Sequence, residues 1–281
     1  MDKKIVLITG ASSGFGFLIS LALAKKNFIV IATMRNLTNA PRLRKAASTS
    51  SISEKNLAIY RLDVTNIDEI TELKKTIHKK YGRLDILINN AGFSQGGVIE
   101  EVNMEKWYQQ FQTNFFGVVS VTKAFIPMMR EARSGKIIQM GSISGRIGLP
   151  GLGPYASSKF ALAGLSESLR LELKPFNVYT SMIEAGSFQT NIWDKGLESA
   201  VQSDKLDYQS LMTFMNRYAK VKTKSSENPQ KVVDLVTRIC ESSRPNFRYS
   251  IGKGIKSSIF LKSLLPWSIL ETILYRIFNK V

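Results

Sequence analysis

Residues 3–25 read KKIVLITGASSGFGFLISLALAK. The apolar run IVLI inside Lys3 to Thr9 stops at a glycine-rich turn, and an amphipathic helix pattern follows from Phe17 to Lys25. A short continuous apolar run bounded in this way is a strand buried on both faces of a parallel sheet. The turn, Thr9 to Gly16, spaces its glycines G-x-x-x-G-x-G and not the commoner G-x-G-x-x-G. The physics is shared. Gly10, Gly14 and Gly16 let the backbone turn tightly and approach a pyrophosphate; Ser12 and Ser13 offer hydroxyls; Phe15 lies in the same cofactor-binding turn; and the N-terminus of the helix that follows presents free N–H groups and the positive end of its dipole. A plain strand-to-helix turn with no ligand is the competing reading.

Working outward, the pattern alternates. Strands are expected at 28–34, 57–62, 84–88, 136–140, 178–183 and 248–251, and helices at 66–80, 103–130 and 229–242. Residues 38–55, rich in Ser, Thr, Lys and Arg, read as a mobile surface excursion. Alternating strands and helices make a doubly wound parallel sheet of the α/β class, with ligand groups at the C-terminal ends of strands. At the end of the second strand stands Arg35, where an acid would accept from a ribose 2′-OH. A guanidinium there pairs with a 2′-phosphate instead, so NADP(H) is expected in preference to NAD(H); a merely solvated arginine is the alternative. Asp63, before Val64, is placed to accept from an adenine amino group. Asn89, Asn90, Ala91 and Gly92 close the fourth strand, where an asparagine amide holds neighbouring strands and a glycine permits close approach. Asn114 sits in mid-helix, an unfavourable place that asks for a kink or a bonded water.

The second decisive stretch is GSISGRIGLPGLGPYASSKF, residues 141–160. Ser142 lies just past a strand end, within reach of a substrate oxygen. Tyr155 and Lys159, four residues apart, share a helix face. An ammonium beside a phenol favours the phenolate and is expected to lower the tyrosine pKa from about 10. A proton donor and acceptor poised near working pH is what general acid–base catalysis needs.

Composition narrows the classes. A single cysteine, Cys240, excludes an internal disulfide and fits a reducing, cytoplasmic compartment; its apolar helical neighbours make it a core thiol. A single histidine, His78 among lysines, removes a histidine zinc site and a Ser-His-Asp triad, and no metal is expected. The net charge of +17 is scattered, without nucleic-acid-binding spacing, so nucleic acid is not expected. The N-terminus runs straight into a strand with no leader pattern.

Together TGASSGFG at 9–16, Asp63-Val64, NNAG at 89–92, Asn114, Ser142 and YASSK at 155–159 resemble the short-chain dehydrogenase/reductase family in its shorter branch, over about residues 1–190. Within it the chain is similar to bacterial relatives of 17β-hydroxysteroid and retinol dehydrogenases. The resemblance implies a Rossmann fold and an Asn114-Ser142-Tyr155-Lys159 tetrad. Tyr155 would be the proton donor, Ser142 would orient the carbonyl, Lys159 would charge the site and hold the nicotinamide ribose, and Asn114 would hold a relay water. Gly186 and Thr190 would meet the carboxamide, although the family's proline before that glycine is Ala185 here.

A lipophilic carbonyl or alcohol is the expected substrate, because residues 187–224 mix aromatics and methionines into an adaptable apolar wall. Phe188 and Trp193 stand on one side, with Leu149 and Gln95 opposite, and two packed helices are the plainer alternative. Small polar ketones or ketosugars, or a catalytically idle dinucleotide binder, are rival functions. The tail, 255–281, is apolar but broken by Lys262, Pro266, Glu271 and Arg276, too short in any run to span a bilayer. It is expected to cover the substrate mouth or a partner subunit, with peripheral membrane contact as the alternative. One domain, and a homodimer through the helices around Asn114 and Phe160 as the family implies, complete the expectations.

Overall fold

The computed structural model describes residues 3–190, 196, 200–201, 205–224 and 226–279. Its centre is a seven-stranded, wholly parallel sheet in the order β3-β2-β1-β4-β5-β6-β7. The strands are β1 (Ile5–Ile8), β2 (Ile29–Met34), β3 (Leu57–Arg61), β4 (Ile86–Asn89), β5 (Gly135–Met140), β6 (Val178–Ala185) and β7 (Arg248–Ile251). Helices α1 (Gly14–Lys25), α2 (Ala40–Thr49), α3 (Ile67–Tyr81), α4 (Met104–Phe111), α5 (Gly117–Glu131) and α6 (Gly153–Glu172) follow in the first two thirds. The rest carries α7 (Gln209–Lys224), α8 (Gln230–Glu241), α9 (Ile255–Leu264) and α10 (Trp267–Asn279).

The four residues of β1 are fully buried because both faces are covered. Val6 and Ile8 face α1 and α8, packing with Ile19, Leu23, Val232 and Val236. Ile5 and Leu7 face the other way, with Val121, Phe125 and Leu169 from α5 and α6. The period of two across a strand divides one hydrophobic run between two cores. Strand order reverses between β1 and β4, and the crevice above their C-terminal ends is where ligands of such sheets bind.

Residues 38–55 are not a mobile excursion. Ala40, Leu43 and Ala47 are buried on one face of α2, with Pro41 in its first turn. Cys240 is buried in α8, and burial pushes its thiol up to about 12, as expected of a core thiol. His78 is exposed on α3. Asn114 does break its helix: a π-turn, Gln112–Phe116, joins α4 to α5.

Candidate active site

The floor of the crevice is built on Thr9 and Asn90. The Thr9 hydroxyl accepts from the backbone N–H groups of Asn90 and Ala91, both at 3.0 Å. The Asn90 amide donates back to the carbonyls of Thr9 and Gly10, both at 2.9 Å. Four bonds thus staple the end of β4 to the turn after β1. Gly10 sits at φ +71, and a Cβ there would stand 2.7 Å from the Ala91 Cα. A Cβ on Gly16 would stand 2.4 Å from both the Asn90 amide nitrogen and the Gly10 carbonyl oxygen. Ser13 is the N-cap of α1 but makes no capping bond, and the first turn holds no acid. The uncapped N–H groups and positive dipole end face the crevice as an anion seat, so the residues present fit a dinucleotide pyrophosphate. Arg35 is exposed just past the end of β2.

Asp63 has one carboxylate oxygen committed to the Thr65 N–H at 3.0 Å and the Thr65 hydroxyl at 2.7 Å. Val64 is buried, and a Cβ on Gly117 would meet its side chain at 2.8 Å. A Cβ on Gly92 would lie 3.0 Å from the Asn114 carbonyl oxygen, which makes room for that side chain. The Asn114 amide accepts from the Phe93 N–H at 3.1 Å and donates to the Phe93 carbonyl at 2.9 Å, so it clamps the segment that follows β4.

The tetrad comes together. Asn114, Ser142, Tyr155 and Lys159 are all under 10% exposed. Ser142 caps the short turn Ile143–Gly145, accepting from the Ser144 N–H at 3.1 Å, and its side chain neighbours the Tyr155 phenol. Ser158, one residue before the lysine, lies 3.4 Å from the Asn114 amide nitrogen. The expected lowering of the tyrosine pKa is not what this geometry gives. Burial pushes the phenol up, and the neighbouring Ser142 side chain only partly opposes it. The Lys159 ammonium donates to the Met140 carbonyl at 2.8 Å and stands 5.8 Å from the Tyr155 ring centroid, over the ring instead of at the hydroxyl. Burial brings Lys159 down to about 8.

The loop after β6 closes the crevice. The Gly186 N–H bonds the Ile251 carbonyl at 2.9 Å, and a Cβ on Gly14 would touch Thr190 at 3.6 Å. Phe188, expected in the substrate wall, is 2% exposed and packs edge-on against Phe15, ring centroids 5.8 Å apart. It belongs to the core that seats α1. Leu149 is half-buried beside Tyr155's helix and Gln95 is buried; Trp193 lies outside the described residues.

Sequence reasoning missed the Arg146–Glu184 pair. Glu184 is 1% exposed, and burial alone would raise its pKa. Hydrogen bonds from Ser250, Arg146 and Arg248 outweigh this and hold it below the usual carboxylate range. Arg146 reaches it at 2.7 Å from just past the Ser142 turn, so the pair ties the catalytic turn to β6. The available signal was an acid inside an apolar strand, at the place of the altered Pro-Gly.

A family model described as short chain dehydrogenase matches residues 4–200. The uncharacterized oxidoreductase YusZ of Bacillus subtilis is 44% identical over 98% of both chains. A 3-ketodihydrosphingosine reductase of Bacteroides thetaiotaomicron is 35% identical over 94% of this chain and 93% of its own. Human retinol dehydrogenase 8 is 34% identical over 88% of this chain and 83% of its own. A solved short-chain dehydrogenase from Streptomyces avermitilis superposes with a TM-score of 0.82 at 28% identity, covering 98% of this chain and 97% of its own.

Proposed function

Because this chain belongs to the short-chain dehydrogenase/reductase family, whose members bind a nicotinamide dinucleotide, we propose that it is an NADP(H)-dependent oxidoreductase interconverting a lipophilic carbonyl and its secondary alcohol. The observation that carries the reading is the buried cluster of Ser142, Tyr155 and Lys159, with the lysine ammonium 5.8 Å from the centroid of the phenol ring. The cofactor, when bound, supplies or accepts the hydride. The chain's residues manage the proton. Tyr155 is held protonated by burial, the form from which its hydroxyl gives a proton to a carbonyl oxygen as the alcohol forms. Ser142 donates to the same oxygen and orients it. Lys159, with a pKa of about 8, is mostly cationic at neutral pH and stabilises the phenolate that remains. Gly10, Gly14, Gly16, Ser12 and Ser13 form the pyrophosphate cradle, and Arg35 pairs with the ribose 2′-phosphate.

The names of two relatives, a reductase of ketodihydrosphingosine and a dehydrogenase of retinol, support an apolar substrate. Homodimerisation through the helices around Asn114 and Phe160 goes with the reading. Phe116 and Phe160 are exposed there, and sedimentation of a Phe160→Asp variant tests it. Initial rates of NADPH and NADH oxidation against apolar ketones, retinal and ketosugars test the function. Turnover of apolar carbonyls with NADPH is expected. Preference for NADH would remove the role of Arg35, and activity confined to ketosugars would remove the lipophilic substrate.

A further inference from the structure

The last two helices leave their apolar side chains outside. Of the seventeen exposed large hydrophobic residues among the described ones, seven fall between Phe260 and Tyr275: Phe260, Leu261, Leu264, Trp267, Ile269, Ile273 and Tyr275. This sixteen-residue stretch holds two fifths of the exposed large apolar side chains, so the exposure is concentrated and not scattered. Helix α9 is nevertheless fastened to the body. Ile255 is buried against Gly186, and the Lys262 ammonium donates to the Arg146 carbonyl and lies 5.3 Å from the Phe160 ring centroid. Among the described side chains of α10, Leu270 and Leu274 are half-buried, while Trp267, Ile269, Ile273 and Tyr275 are exposed. The tail therefore packs on the body through Ile255 and Lys262, beside the Ser142 turn, and leaves these apolar side chains outside.

We propose that the helix pair α9–α10 is a docking surface for an anionic lipid bilayer, lying in the headgroup boundary. It extends the proposed function, on which its purpose rests, by setting the enzyme at the phase where a lipophilic substrate dissolves. Three observations select this occupant. First, no helix among the described residues is long and apolar enough to cross a membrane, so the pair suits the interface. Second, from Lys253 to Lys280 five cations accompany the lone acid Glu271, and α7, against which α10 packs, exposes Arg217 and Lys220. Basic residues interleaved with Trp, Tyr and Phe match an anionic headgroup layer. Third, tail-to-tail pairing would set the exposed Lys253, Lys256 and Arg276 of one copy against the same cations of the other, which opposes it.

The test is co-sedimentation of the full chain with vesicles of phosphatidylcholine alone and of phosphatidylcholine and phosphatidylglycerol in equal parts. Three proteins are compared: wild type, the apolar variant Phe260→Ser/Trp267→Ser/Ile269→Ser, and the charge variant Lys256→Glu/Arg276→Glu. Wild type should bind the anionic vesicles and release them as salt rises. Both variants should bind at least about tenfold more weakly. The charge variant alters two exposed side chains and leaves the apolar face intact, so an unchanged melting temperature separates its loss of binding from unfolding. Absence of wild-type binding to anionic vesicles would overturn the proposal, as would wild-type affinity in either variant. A fall in oligomer mass in the apolar variant without any vesicle binding by wild type would assign the face to a second copy and also overturn it. Because binding is read without turnover, failure here leaves the catalytic reading standing, and loss of activity on soluble carbonyls leaves this one.

Discussion

Replacing Lys159 by methionine should abolish turnover and yet, near neutral pH, leave the fold as stable as before or more so. Burial brings this ammonium from a free lysine's 10.5 to about 8, a fall of about 2.5. At about 1.4 kcal/mol for each pKa unit, keeping it charged inside the fold costs about 3 kcal/mol at neutral pH. Methionine fills a similar volume without the charge. It forfeits the 2.8 Å bond to the Met140 carbonyl, and a buried carbonyl left short of a donor costs about 1–3 kcal/mol. The difference is about 0–2 kcal/mol in favour of the variant. Its pH dependence has a definite sign. A base whose folded pKa is depressed binds fewer protons folded than unfolded between about 8 and 10.5. The native protein therefore gains stability as pH rises through that window, and the variant lacks this gain. Lys136, also brought to about 8 by burial, is present in both and cancels in the comparison. Urea unfolding of both proteins at about pH 7 and about pH 10 reads the effect, and the variant's advantage should shrink or reverse by about 2–3 kcal/mol between them. A variant less stable by more than about 3 kcal/mol at neutral pH, with the same pH slope as wild type, would refute the burial argument.

Gly16→Ala should cost about 1–3 kcal/mol and weaken NADPH binding together, since its Cβ would enter the Asn90–Gly10 staple at 2.4 Å; calorimetric titration and thermal melting measure both. Arg35→Glu should turn cofactor preference toward NADH, read as the ratio of kcat/KM for the two cofactors, with little change in melting temperature because Arg35 is exposed. Glu184→Gln should destabilise by about 3 kcal/mol, because it leaves Arg146 and Arg248 without their buried carboxylate. As the Glu184 pKa is depressed in the fold, its contribution is present above the unfolded carboxylate range and is lost as pH falls through the folded value, so wild type and variant should converge in acid unfolding.

Much of this site was legible because its chemistry is written at strand ends. The run IVLI and the glycines after it announce β1, the turn and α1, and the structure needs Gly10 and Gly16 for the close approaches the spacing suggested. Asn114 in mid-helix asked for a local break, and a π-turn supplies it. What stayed hidden depended on partners distant in sequence. Tyr155 and Lys159 share a face, but which acceptor takes the ammonium depends on β5, whose Met140 carbonyl lies nineteen residues away. Helix α2 was hidden because only Ala40, Leu43 and Ala47 carry its apolar stripe, diluted by hydroxyl and basic residues. Phe188 reads alike whether it lines a pocket or seats a helix, and only its contact with Phe15 decides. The Lys262–Arg146 bond spans 116 residues, beyond any local pattern.

The most direct test of the central claim is Tyr155→Phe, measured for NADPH binding and for turnover of an apolar ketone in the same preparation. Phenylalanine keeps the buried ring and removes only the hydroxyl. The account predicts unchanged NADPH affinity and a rate reduced by about a hundredfold or more, the scale of a lost general acid. A variant that turned over ketone at the wild-type rate would contradict it.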